Sequence, residues 1–182
     1  MISILLKEQT RSLHDQVEER LLSKKIMDKS FDLNDYRFVL KHNYNFINHF
    51  EEAVFSKISV ESAEKLHPEK RRKLPAITKD ILLFDISRLF EKSKLSLKNE
   101  AEAFGILYVM EGATLGGNMI AKNLLKNIHF DGVNFNYFGL YGDQTGFLWK
   151  LFIENLEEKS QFFDDQDFLN GAEMAYQFLL NH

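Results

Sequence analysis

Tyr108-Val109-Met110-Glu111-Gly112-Ala113-Thr114-Leu115-Gly116-Gly117 lies inside the longest run of helical periodicity in the chain, from about Leu97 to Asn127. Three glycines within six residues of a helix are costly, about 1 kcal/mol each relative to alanine. Close packing or function usually offsets such a cost. Backbone without Cβ atoms lets a helix bend, and it lets a planar ligand press against it. The same bareness also serves a tight helix–helix crossing, and Gly116 alone would serve as a helix cap. A phosphate-cradling loop does not fit: no strand precedes the glycines, and no lysine with serine or threonine follows in the required spacing.

Outward from this run, apolar residues recur at three- and four-residue steps almost everywhere. A first helix is expected from about Ile2 to Ser23, with Leu6, Leu13, Val17 and Leu21 on one stripe. A second starts after Asp32 or Asn34, both good N-caps, and continues to about Lys57. Its apolar face carries Tyr36, Val39, Leu40, Phe46, Ile47, Phe50 and Val54. The stretch 59–77 holds both prolines and reads as a connection with one helical turn. A third helix opens at Thr78 and carries Ile81, Leu82, Leu83, Ile86, Leu89 and Phe90. Beyond the long glycine-bearing helix, the aromatic stretch 130–146 reads as an ordered loop packed on the core. Two more helices follow, one to about Gln161 and one from about Gln166 to Leu180. No run shows the alternation of a half-buried strand, so the expected fold class is all-α, a compact multi-helix bundle forming one domain over 1–182.

Composition narrows the function classes. The chain has no cysteine, which excludes disulfides, thiolate metal sites, iron–sulfur clusters and a cysteine nucleophile. A net charge of −4 argues against nucleic acid as a partner. The basic run Lys70-Arg71-Arg72-Lys73 reads as a solvated loop rather than a polyanion site. No stretch approaches the ~20 apolar residues of a membrane span, and no leader peptide opens the chain. The expected setting is the cytoplasm, with no membrane partner.

His14 is the candidate ligand on the first helix. Lys7, Thr10, His14, Val17 and Leu21 share a face, which puts the imidazole beside the buried stripe. Glu18, one turn on, is in reach of the ring, where a carboxylate would fix tautomer and orientation. The plain alternative is a structural histidine at the core boundary. His42 and His49 are two turns apart, too far for one metal. Glu64 and His67 have the i, i+3 spacing of di-iron bundles, but no second such motif exists and Pro68 follows at once.

Thr10-Arg11-Ser12-Leu13-His14-Asp15-Gln16-Val17-Glu18, followed a hundred residues later by Tyr108 to Gly117, resembles the heme oxygenase family, bacterial type. Asp35-Tyr36-Arg37-Phe38 through Phe50-Glu51, and Tyr141 to Gly146 leading into Trp149 and Phe152, agree in type and order. The resemblance implies a heme oxygenase-like helical fold. It makes His14 the proximal ligand of heme iron, with Gly112, Gly116 and Gly117 bringing a distal helix over the porphyrin. It puts Lys7, Arg11 and, less directly, Lys150 at the propionates, and Thr10, Glu18 and Ala113 among the heme-lining residues. The implied activity is oxidative cleavage of heme to biliverdin, carbon monoxide and free iron, using O2 and electrons from a ferredoxin, flavodoxin or reductase. An imidazole ligand gives less push toward O–O cleavage than a thiolate would, and the heme carries the hard chemistry while the protein positions it. One departure stands out: Ala113 occupies a position where some family members carry an aspartate that organises water. This leaves a second expectation open, a non-catalytic heme-binding or storage protein on the same fold.

Overall fold

Asp32-Leu33-Asn34-Asp35 starts a helix by capping its own backbone. The Asp32 carboxylate accepts from Asn34 N at 2.8 Å and Asp35 N at 2.9 Å, and the Asp35 carboxylate accepts in return from Asp32 N at 3.2 Å. The computed structural model describes residues 1–87, 90, 94–127 and 130–182. Among them are ten α-helices and no strand: α1 (Ile2–Gln9), α2 (Arg11–Arg20), α3 (Ser23–Met27), α4 (Leu33–Lys57), α5 (Val60–Leu66), α6 (Pro68–Arg71), α7 (Leu74–Leu83), α8 (Glu100–Leu124), α9 (Thr145–Lys159) and α10 (Asp165–Asn181). The fold is an all-α multi-helix bundle, as the periodicity implies.

Three boundaries differ from the sequence reading. The first helix is not continuous: Thr10, with φ −97° and ψ 5°, bends the chain between α1 and α2. Its hydroxyl donates to the Leu6 carbonyl at 2.8 Å, the back-bonding by which threonine bends helices. The connection 59–77 holds α5, α6 and the start of α7 rather than a single turn. α7 begins at Leu74, where Pro75 suits the first turn, and it ends at Leu83. Ile86 and Phe90 therefore lie past the helix, and Leu89 falls outside the described residues. α8, by contrast, runs unbroken through all three glycines.

The tightest packing in the bundle is between α8 and α10, and two glycines make it possible. A Cβ on Gly105 would run into the Phe168 carbonyl oxygen and stand 2.9 Å from Ala172 N. A Cβ on Gly171 would run into the Glu102 carbonyl and stand 2.8 Å from its carbon. Backbone thus lies on backbone at this crossing. α10 also packs on α2, α1 and α4, and α4 on α7 and α8. The core between them includes Tyr36, Phe46, Ile47, Phe50, Phe104, Leu107, Phe152 and Phe168, all buried.

The aromatic stretch 130–146 is ordered and packed. Phe130, Phe135, Tyr137, Phe138 and Tyr141 are buried. The Asp80 carboxylate, fully buried on α7, accepts from Tyr137 N at 2.9 Å and from Asn136 Nδ2 at 2.6 Å. Tyr137 donates its hydroxyl proton to Asn43 on α4 at 3.0 Å.

Gly105→Ala should lower unfolding free energy by about 3 kcal/mol or more, because only backbone could move aside; urea denaturation measures it. A pH effect is expected at His42, which is buried on α4 with Nδ1 against the Phe38 carbonyl at 2.8 Å. Burial, more than the nearby Arg20 and Lys41, holds its pKa below the ordinary 6.5. The unfolded chain takes up a proton as pH falls through about 6.5 and the native state does not. Stability from this site is therefore full above that pH and declines below it. Urea midpoints at pH 7.5, 6.5 and 5.5 should fall in that order, and His42→Gln should flatten the decline.

Candidate functional site

Tyr108, Gly112, Leu115, Gly116 and Met119 fall at three- and four-residue steps on one face of α8. This face is open. A Cβ on Gly112 or Gly116 would meet nothing within 4 Å, and Leu115 and Met119 are 36% and 59% exposed. Gly117 belongs to the other side: it is buried, and a Cβ there would stand 2.9 Å from Phe138 Cδ1. The three glycines thus divide into two that face open space and one that seats the aromatic loop. Ala113 is partly exposed beside the stripe.

Behind the stripe, Glu111 anchors α8 in a buried ion network. Its carboxylate accepts from Arg71 at 2.5 Å, from Lys73 Nζ at 2.6 Å and from the Tyr141 hydroxyl at 2.9 Å. Arg71 also donates to the Leu66 and Leu148 carbonyls at 2.6 and 3.0 Å, and Lys73 to Tyr141 Oη at 2.8 Å. The Lys73 backbone amide, together with that of Leu74 at 3.1 Å, is held by the Glu51 carboxylate. Burial first, then the Glu111 charge, pushes the Tyr141 phenol up; burial raises Glu51. This corrects the reading of 70–73 as a solvated loop. Lys70 and Arg72 are exposed, but Arg71 and Lys73 are wholly buried because a carboxylate from α8 and carbonyls from three segments satisfy their donors.

His14 sits on α2 with its side chain 51% exposed. Its Nδ1 is 3.6 Å from the Asp15 carboxylate and its Nε2 is 3.7 Å from that of Glu18. These three donors lie within 4.8 Å of one another. Thr10, on the same face, is buried with its hydroxyl committed to Leu6, so it shapes the bend rather than the open surface. Lys7 and Arg11 are exposed on α1 and α2. Lys150 is exposed on α9, with Nζ 3.7 Å from Glu154; its neighbour Trp149 packs on Tyr108 with ring centroids 5.8 Å apart.

α10 packs on both α2 and α8, and Tyr176 is the side chain that ties the two walls. Its ring meets His14 edge to face at 6.3 Å. Its phenol is pushed up to about 12, first by burial and then by the neighbouring Tyr108. The sequence reading gave Tyr176, Leu115 and Met119 no role at the site; for the last two, spacing from Gly112 was the available signal. Two surface hollows lie off this face, one over the α1–α2 bend lined by Glu8, Arg11 and Asp15, the other between α8 and the loop lined by Asn118, Ala121 and Phe135. The rival histidines have other partners: His42 as above, and His49 stacked on Phe178 at 4.7 Å.

The donor chemistry and the bare stripe both suit heme: one imidazole for an axial position, and a helix face that a flat macrocycle can approach without meeting Cβ atoms. The all-α bundle is of the heme oxygenase-like kind. The family model described as heme oxygenase matches residues 1–96, more than half of the chain, and the chain belongs to the heme oxygenase family. The matched span carries His14 and ends before α8. No curated protein and no solved structure matches the chain. Family membership brings heme-binding capability and heme oxygenase-type chemistry for the matched part. No helix among the described residues is long and apolar enough to cross a membrane.

Glu111→Gln should cost about 3–5 kcal/mol of stability, since it leaves Arg71 and Lys73 buried without an anion. Urea unfolding compared with Glu154→Gln, an exposed carboxylate, checks this.

Proposed function

We propose that this chain is an active heme oxygenase in which His14 binds the iron and the α8 stripe covers the opposite face of the macrocycle. The product would be biliverdin, with release of carbon monoxide and iron, and the electrons would come from a small donor protein. We extend the domain over 1–182, because α8 and α10, beyond the matched residues, pack on α4 and α2 within them.

The supporting observation is energetic. Gly112 and Gly116 each forgo about 1 kcal/mol of helix stability, yet among the described residues nothing lies within 4 Å of where their Cβ atoms would stand. Gly105, Gly117 and Gly171 are explained by packing; these two are explained by a ligand.

Heme, when bound, supplies the iron that activates oxygen and the carbon framework that is opened. The chain's residues do the positioning. His14 would hold the iron through one ring nitrogen, with the Asp15 and Glu18 carboxylates standing 3.6 and 3.7 Å from its ring. Gly112 and Gly116 admit close approach of the α8 backbone, and Leu115 and Met119 keep water from that face. Lys7, Arg11 and Lys150 are long, exposed cations fit to meet propionates. Ala113 offers no acid, so protons reach the site through water rather than through a side chain at that position.

Hemin added to the protein should give the Soret band of a histidine-ligated heme, and His14→Ala should weaken or alter it; identical spectra would remove His14 from the assignment. With O2 and a reductant, bilin should form. Heme left intact under those conditions would favour storage without turnover. Gly112→Ala should raise thermal stability, by about 1 kcal/mol or less, while weakening hemin affinity. Gly116→Leu should weaken it further, by about 2 kcal/mol.

A further inference from the structure

Tyr176 touches the ring of His14 edge to face. It lies on α10 and is buried. Thr10 sends its hydroxyl proton to the Leu6 carbonyl at 2.8 Å, at the α1–α2 bend. His14 follows one turn later, its amide bonded to the Thr10 carbonyl at 2.9 Å. The Tyr176 ring then meets the imidazole edge to face, with planes at 80°.

The carboxylates beside His14 impose no such constraint. Asp15 and Glu18 stand at 3.6 and 3.7 Å, beyond hydrogen-bond reach, on side chains 65% and 57% exposed. Ion pairs so exposed hold little. Among the described residues, Tyr176 supplies the ring contact of His14, and it comes from an element already fixed against α8 at Gly105 and Gly171.

We propose that Tyr176 is a positioning residue for His14: its ring sets the plane of the imidazole before heme arrives. The assignment rests on His14 being the iron ligand. A side chain held in its binding orientation loses less freedom on ligation, so the effect falls on hemin affinity and on the ligand geometry at iron.

The test uses the full chain with hemin, comparing wild type, Tyr176→Leu and Tyr176→Phe. In heme-free protein, nuclear magnetic resonance of the labelled His14 ring should shift in Tyr176→Leu, through loss of the ring, and stay at the wild-type position in Tyr176→Phe. Tyr176→Leu should raise the hemin Kd about three- to tenfold, the worth of one aromatic contact. It should also change the electron paramagnetic resonance g-values of the ferric complex, which report the imidazole plane. Tyr176→Phe, which keeps the ring, should restore the g-values. In a His14→Ala protein supplied with free imidazole, adding Tyr176→Leu should change neither affinity nor spectrum.

Unchanged His14 signals in Tyr176→Leu, or in Tyr176→Met should Tyr176→Leu fail to fold, overturn the proposal. So does a wild-type Kd and spectrum in Tyr176→Leu, or an equal loss in the His14→Ala background, which would make Tyr176 a general packing residue. If His14→Ala itself binds hemin with the wild-type spectrum, the ligand assignment falls. If His14→Ala loses ligation while the Tyr176 variants do not, only the role of Tyr176 falls.

Discussion

The crossing of α8 on α10 at Gly105 and Gly171 is the constraint on which the rest of the molecule depends. With no Cβ on either side, the two backbones meet at a distance that any other residue would forbid. That approach sets the height of α10 against α8, and α10 in turn carries α2 on its flank. The histidine face and the glycine face are therefore related through a third helix rather than by direct packing. Tyr176, on that helix, reaches the imidazole, while Tyr108 on α8 lies close enough to raise the Tyr176 phenol.

Along α8 the same residue type does three different things. Gly105 receives a neighbouring helix, Gly117 receives Phe138, and Gly112 and Gly116 receive nothing from the protein. A packed glycine is repaid by the contacts its bareness permits. An open glycine in mid-helix has no such return among the described residues. Of the alternatives attached to the glycine run from its sequence, the cap at Gly116 is not realised, since α8 runs on to Leu124, and Gly117 seats a loop aromatic rather than a second helix.

The buried network around Glu111 holds α8 from behind. Two cations and a phenol converge on one carboxylate; Arg71 and Lys73 also donate to backbone carbonyls, and the phenol oxygen accepts from Lys73. Such arrangements contribute position more reliably than net stability, because desolvating the charges offsets most of their attraction. Here the position conferred is that of the residue immediately before Gly112. The open stripe is thus carried on a helix tied down on its opposite side, a rigid support for a site that has no wall of its own.

Local patterning was enough to read the class of fold, the capped start of α4 at Asp32, the apolar face from Tyr36 to Val54 and the presence of an ordered aromatic loop, because these follow from periodicity and from hydrogen bonds a few residues apart. The family, too, was legible in the order of the His14 and Gly112 segments. The bend at Thr10 and the early end at Leu83 were not, since periodic apolar residues continue across both. Nor was the fate of Lys70 to Lys73: four cations in a row look solvated until Glu111, forty residues from Arg71, enters the same interior. Which glycines pack and which stay open, and that Tyr176 serves His14 rather than only the core, depended on partners far away in the chain. Composition and spacing determine what each segment can become; only the assembled helices decide which face of it is left for chemistry, because burial is a property of neighbours.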